Sequence, residues 1–121
     1  MHKKIIIKNW SDNIKKYYKN SKILILPSFF EGFGNVLIEA LSYGLPCLST
    51  FTDGPKEILS FGKFGLLIKD NSPESICYGI SKIINNYKKY QVKAKQGFLK
   101  NKRYDISRIG KKYLNKIASI I

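Results

Sequence analysis

The sequence predicts an α/β fold, a Rossmann-like parallel sheet with flanking helices, on three observations. Continuous apolar runs such as Ile23-Leu24-Ile25-Leu26 lack the alternation of a half-exposed strand, and suit strands buried on both faces. Segments with apolar residues at helical spacing lie between those runs, so strand and helix alternate as in βαβ units. Proline, glycine and small polar residues stand where the segments should begin and end.

Taken in order, Ile5-Ile6-Ile7 is a β-branched run that predicts a first strand, and Ser11 or Asp12 can cap a helix running through Tyr18. The run Ile23-Leu24-Ile25-Leu26 is closed by Pro27. After a glycine-bearing loop, Val36, Leu37, Ala40 and Leu41 share one helical face. Gly44 then supplies the residue past the helix end and Pro46 blocks continuation. Cys47-Leu48-Ser49-Thr50 and Gly65-Leu66-Leu67-Ile68 read as further strands. Ser72-Pro73 opens a helix with proline in its first turn, with Ile76, Ile80, Ile83, Ile84 and Tyr87 on one face. A basic helical stretch around residues 88–102 follows. Asp105 then caps a last helix carrying Ile106, Ile109, Tyr113, Leu114 and Ile117. No repeat, low-complexity tract or linker interrupts the chain. Four strands are few for a doubly wound domain, which points to part of something larger.

A length of 121 residues allows one domain. Hydrophobic residues at 44% and aromatic residues at 13% exclude wholesale disorder. No apolar run approaches the ~20 residues that span a bilayer, and the run that ends at Lys8 is too short for a signal peptide. Cys47 and Cys77 lie in separate apolar segments, form no CxxC pair and read as small buried hydrophobes of a reducing compartment. A cytoplasmic protein is the expectation. The net charge of +14 comes almost wholly from lysine, since Arg103 and Arg108 are the two arginines among 22 basic residues. Richness in Lys, Ile and Asn together points to an AT-rich genome, which accounts for part of the basicity. Residues 23–55 carry no Lys or Arg, whereas residues 82–116 carry twelve basic residues and one acid, Asp105. That basic end is a solvated helical face or a contact with an anionic membrane. Nucleic-acid readers favour the arginine fork, and no nucleic acid is expected. His2 is the sole histidine, at the terminus, and no His/Cys/Asp cluster has metal-ligand spacing.

The chemistry is concentrated in Pro27-Ser28-Phe29-Phe30-Glu31-Gly32-Phe33-Gly34-Asn35-Val36-Leu37-Ile38-Glu39-Ala40. Its order is buried strand, glycine-rich loop, helix. Such a loop brings the N–H groups of Gly34, Asn35 and Val36 to a helix start, where unpaired amides and the helix dipole can hold a phosphate oxygen. Glycine matters because a side chain there would keep the ligand off the backbone. Glu39 lies about one turn past Asn35, under the same rim. Glu31 lies in the loop before it. Both can accept hydrogen bonds from hydroxyls on either side of a diphosphate, and a nucleotide-sugar offers such hydroxyls. The expectation is two carboxylates opening on one cleft. Ordinary solvated acids are the competing reading for both, yet two of just eight acids stand here. Phe29, Phe30 and Phe33 either pack under the loop or shape a pocket, and Trp10 is expected as a core or edge aromatic. Asp53 caps a helix or, with Glu57, reaches the ligand.

Glu31 and Glu39, with seven residues between them in EGFGNVLIEAL, resemble the E-x7-E motif of family 4 retaining glycosyltransferases, which have the two-domain GT-B fold. PSFFEGFG, EALSYGLPCLST, GPKEIL from Gly54 and GKFGLL from Gly62 follow in the family's order. The resemblance covers residues 5–87, and the tail is similar to the helices that close the C-terminal domain, about residues 88–121. It implies that Glu31 is the catalytic residue at the donor-sugar hydroxyls and that Glu39 binds the ribose. Gly32, Phe33, Gly34, Asn35 and Val36 would line the sugar and diphosphate, and Lys8, Asn9 and Trp10 would lie where the base sits. It implies a nucleotide-sugar substrate, a UDP-sugar by the GPKEIL segment, no cofactor and no essential metal. It also implies a role in cell-surface polysaccharide or glycoconjugate synthesis, with a peripheral contact at the inner face of the cell membrane. The acceptor-binding N-terminal domain is missing, as are the Arg and Lys that family members aim at the diphosphate. In the family's strand order of 3-2-1-4-5-6 the run at Ile5 has lost its neighbours. The chain is therefore read as a fragment: one incomplete nucleotide-sugar-binding domain over residues 1–121. Its partner would be the missing domain or an upstream polypeptide, and alone it is expected to be inactive. Such a cut exposes Ile5, Ile7, Ile23 and Ile25, which favours self-association. The alternative, a basic nucleic-acid- or membrane-binding module, predicts salt-sensitive binding indifferent to Glu31 and Glu39.

Overall fold

Three of the apolar runs pair, and they pair in chain order. In a computed structural model describing residues 4–102 and 105–121, with Ile106 described by its backbone alone, the strands are β1 (Leu24–Leu26), β2 (Cys47–Thr50) and β3 (Leu66–Ile68). They form a parallel sheet of order β1-β2-β3, with Ile25 opposite Leu48 and Ser49 opposite Leu67. His2 and Arg103 lie outside the described residues.

Alternate side chains enter two cores. Leu24, Leu26, Cys47 and Leu67 join Leu37, Ala40, Leu41 and Ala94 on one face, and Ile23, Ile25, Leu48, Leu66 and Ile68 join Ile76, Ile80 and Ile83 on the other. A sheet covered on both faces accounts for the unbroken apolar runs.

Six helices are found among the described residues, α1 (Lys15–Asn20), α2 (Asn35–Ser42), α3 (Asp53–Ile58), α4 (Pro73–Asn85), α5 (Tyr87–Asn101) and α6 (Ile106–Ala118), of which α2 and α4 pack on the sheet. Their ends follow local chemistry. Gly44, at φ 67°, turns the chain out of α2. Its N–H donates to the Leu41 carbonyl at 2.9 Å, and the Leu45 N–H donates to Ala40 at 3.1 Å. The Ser72 hydroxyl accepts from the Ser75 N–H at 3.2 Å, and Asp105 accepts from the N–H groups of Ser107 and Arg108. The Ser107 hydroxyl first, and then those backbone bonds, hold the Asp105 carboxyl below its ordinary range.

Several expectations are corrected. Ile5-Ile6-Ile7 forms no strand; no described strand lies alongside to supply a ladder, and Ile7 is 89% exposed. Ser11 accepts from the Asn13 N–H at 3.2 Å, which closes a turn, and α1 begins only at Lys15 with no side-chain cap. Asp53 is the first residue of α3 rather than its cap, and it pairs with Lys56 at 2.8 Å. Ile84 is exposed, because the face of α4 that meets the sheet passes through Gly79 and Ile83. Cys77 is exposed, whereas Cys47 is buried and burial pushes its thiol pKa up. Trp10, Phe29 and Phe30 stand in solvent rather than in the core, while Phe33 packs against the core. Ile23 and Ile25 are half-buried, unlike Ile5 and Ile7.

Candidate functional site

The loop between β1 and α2 is held from below by the second strand. The Ser49 hydroxyl donates to the Leu26 carbonyl at 3.1 Å and the Thr50 hydroxyl to the Ser28 carbonyl at 2.6 Å. These bonds tie the end of β1 to β2 and aim the loop at the carboxyl edge of the sheet, where open α/β sheets bind ligands. Gly34 ends the loop with φ 86° and ψ 53°, a left-handed conformation that suits glycine. α2 therefore starts abruptly. No side chain caps it and its first turn holds no acid, so the helix's own residues leave the positive end of its dipole uncompensated.

Glu31 is half-buried beside this helix start. Its Cγ lies 3.4 Å from where a Cβ on Gly34 would sit, and its carboxylate accepts from the Ser28 hydroxyl at 3.3 Å. Glu39 is exposed one turn along α2, where its Oε2 accepts from the Tyr18 hydroxyl at 2.7 Å. Tyr18 is buried and stacks on Tyr43, with ring centroids 5.6 Å apart. Burial first, then this hydrogen bond, pushes the Tyr18 pKa well up, so it stays a donor and fixes one carboxylate oxygen. Among the described residues no hydrogen bond engages the other oxygen of Glu39.

Two open cavities share Glu39 as a wall. One, of about 580 Å³, is bounded by Phe33, Asn35 and Glu39 on this side and by Asn101 and Arg108 on the other. The second, of about 520 Å³, is bounded by Lys8, Asn9, Trp10, Tyr18, Val36 and Glu39. Glu31 lines neither. The expected single cleft is thus divided: Glu39, Phe33, Asn35 and Val36 border the cavities, while Glu31 turns onto Ser28 and Gly34, and Gly32 is exposed. The loop of Lys8, Asn9 and Trp10 does come beside Glu39, across 29 residues of sequence from Trp10.

Gly54 locks the arrangement from α3. A Cβ there would lie 2.3 Å from the carbonyl oxygen of Phe33, so the start of α3 rests directly on the loop's main chain. Asp53 points to Lys56, not to α2. Sequence reasoning missed Tyr18 as the partner of Glu39 and missed Ser49 and Thr50 as struts. The 21-residue separation of Tyr18 from Glu39 leaves no local signal. Among the described residues no three His, Cys, Asp or Glu side chains gather in a metal-binding group, and no helix is long and apolar enough to cross a membrane.

The sequence profile of the family described as Glycosyl transferases group 1 matches residues 2–100. The sucrose-phosphate synthase of Spinacia oleracea is 37% identical over 102 residues, covering 84% of this chain and 10% of that protein. The lipopolysaccharide 1,6-galactosyltransferase of Salmonella typhimurium is 34% identical over 79 residues, covering 64% of this chain and 22% of that one. Among solved structures, HepE of Anabaena in complex with UDP superposes with a TM-score of 0.81 at 21% identity, over 90% of this chain and 30% of its own. That likeness shows the fold. The chain spans between a tenth and a third of the length of these proteins.

Proposed function

The chain belongs to the glycosyl transferases group 1 family, and on that premise we propose that the start of α2 holds the diphosphate of a nucleotide-sugar donor. The reading is carried by the uncapped first turn of α2, entered through Gly34 at positive φ and bare of acids. Amides there would take the phosphate oxygens, as helix N-termini take anions. Glu39, with one oxygen held by Tyr18, would accept from a ribose hydroxyl, and Lys8, Asn9 and Trp10 would receive the base in the cavity beside it. Glu31 would turn from Ser28 to the donor sugar. As the sugar leaves, the helix terminus would stabilise the charge that develops on the diphosphate.

In the finer reading, the parent reaction is retaining transfer of the family 4 kind, from a UDP-sugar and without a metal. It serves cell-surface polysaccharide or glycoconjugate assembly on the cytoplasmic side. The UDP in the HepE structure and the lipopolysaccharide role of the Salmonella relative support it. Residues 1–121 would be one incomplete donor-binding domain, closed by helices over about 88–121, whose partner is an acceptor-binding domain or upstream polypeptide. Without that partner it turns over no donor.

Calorimetric titration of the chain with UDP in the presence of EDTA tests this. UDP should bind, and Glu39→Gln should weaken it about tenfold or more, the cost of losing a hydrogen bond to a charged acceptor. Glu31→Gln should leave UDP affinity near that of the parent and lower affinity for the UDP-sugar. Absence of UDP binding, or UDP binding indifferent to Glu39, overturns the donor-site reading. Sugar transfer by the chain alone overturns the fragment reading.

A further inference from the structure

Glu39 stands exposed on α2, and a solvated glutamate ordinarily exchanges freely among rotamers. Here one of its oxygens is held: the Tyr18 hydroxyl donates to Oε2 at 2.7 Å. Tyr18 is itself fixed. It is 6% exposed, and its ring lies against Tyr43 with centroids 5.6 Å apart and planes inclined by 23°. Tyr43 stands at the end of α2, one turn past Glu39. The same helix thus seats the Tyr18 ring at one turn and takes its hydroxyl at the next. Burial above all keeps the proton on that hydroxyl, so it serves as donor wherever the carboxylate is charged. Among the described residues no ion pair and no second hydrogen bond engages the carboxylate. The bond also joins two walls of one cavity, since Ile14, Tyr17 and Tyr18 border it on one side and Val36 and Glu39 on the other.

Resting on the donor reading above, we propose that Tyr18 is the positioning residue that fits this site to ribonucleotides: it holds Glu39 ready to accept from one ribose hydroxyl, and the site therefore rejects a nucleotide that lacks it. A group that hydrogen-bonds a substrate hydroxyl is left unpaired by the analogue without one, which is how such sites discriminate. Holding the acceptor before the ligand arrives removes the cost of ordering it on binding, a factor of about five for one rotamer-rich side chain. That gain reaches only a ligand that uses the acceptor. A bond that merely stapled α1 to α2 would act on every nucleotide alike.

Calorimetric titration of the purified chain with UDP, 2′-deoxy-UDP and 3′-deoxy-UDP tests the assignment. The parent should prefer UDP about tenfold over the more weakly bound of the two analogues. Tyr18→Phe, with the circular dichroism of the parent, should bind UDP about fivefold more weakly and that analogue as before, so the preference falls to about twofold. Glu39→Ala should weaken UDP about tenfold, and adding Tyr18→Phe to it should change nothing further. Equal loss of UDP and of both analogues in Tyr18→Phe makes Tyr18 a staple and overturns the assignment, as does a loss that persists in the Glu39→Ala background. Loss of UDP affinity in Glu39→Ala but not in Tyr18→Phe overturns the assignment and leaves the donor reading standing. UDP binding that Glu39→Ala leaves intact overturns both.

Discussion

Adding one methyl group at Gly54 tests whether the donor loop and the start of α3 are a single rigid unit. Gly54 is buried, and its backbone conformation is open to any residue, so space alone decides the outcome. A Cβ would stand 2.4 Å from the Phe33 Cα and 2.3 Å from the Phe33 carbonyl oxygen. Ordinary contact between carbons begins near 3.5 Å, so loop and helix must separate by about 1 Å, against the 2.4 Å observed. Neither neighbour is a flexible side-chain end that can swing aside; both are main chain. The loop is strapped to β2 through Thr50 and Ser49, and α3 is pinned by buried Pro55 and Ile58. The cost should therefore lie at the upper end of the overpacking range, about 3 kcal/mol. Of a net domain stability of ~5–15 kcal/mol that is a large share. At a slope of about 1.5 kcal/mol/M, Gly54→Ala should lower the urea midpoint by about 2 M. The matched control is Gly32→Ala, where a Cβ meets nothing within 4 Å; its midpoint should not move, while UDP-sugar affinity falls if the loop lines the ligand. A Gly54→Ala midpoint within about 0.3 M of the parent would refute the reasoning, and show that the loop floats free of α3.

Two further outcomes are expected. Hydrogen bonds from Ser72 and Ser75 hold the Asp70 carboxyl down to about 2, against an ordinary 3.8. A depressed pKa means its contribution is complete above the ordinary value and lost as pH falls through about 2. Asp70→Asn should thus melt below the parent at neutral pH, and the two melting curves should converge near pH 2; a gap that persists there contradicts the assignment. Ile5 and Ile7, which are exposed together with Trp10, should drive concentration-dependent association, since contiguous apolar surface recruits other chains. Ile5→Lys/Ile7→Lys should shift the sedimentation boundary toward monomer, and a parent chain already monodisperse as a monomer would dispose of the idea.

Much of the fold was legible because its causes are local. Pro27 and Pro46 punctuate β1 and β2, Gly44 reverses the chain after α2, and Ser72 and Asp105 cap α4 and α6 through atoms two or three residues away. The unbroken run at residues 23–26 announced a sheet covered on both sides, and it is so covered. The glycine-rich loop and the interval from Glu31 to Glu39 were likewise visible, since one turn of helix fixes where Glu39 stands relative to Asn35.

What required the tertiary structure is each feature in which one segment depends on another far along the chain. Ile5-Ile6-Ile7 has strand propensity but no described neighbour to pair with, and a strand exists only as half of a ladder. Tyr18 claims an oxygen of Glu39 across 21 residues, and Thr50 props Ser28 across 22. Gly54 reads as a turn residue in GPKEIL, yet its role is to let α3 approach Phe33 to within contact that no side chain allows. Glu31 and Glu39 were expected in one cleft; Glu39 borders two cavities, while Glu31 packs over Gly34 and onto Ser28. Periodicity and capping are set by neighbours within a turn, so the sequence by itself determined the elements. Distances between elements are set by which surfaces bury each other, so only the folded chain decided what surrounds each carboxylate.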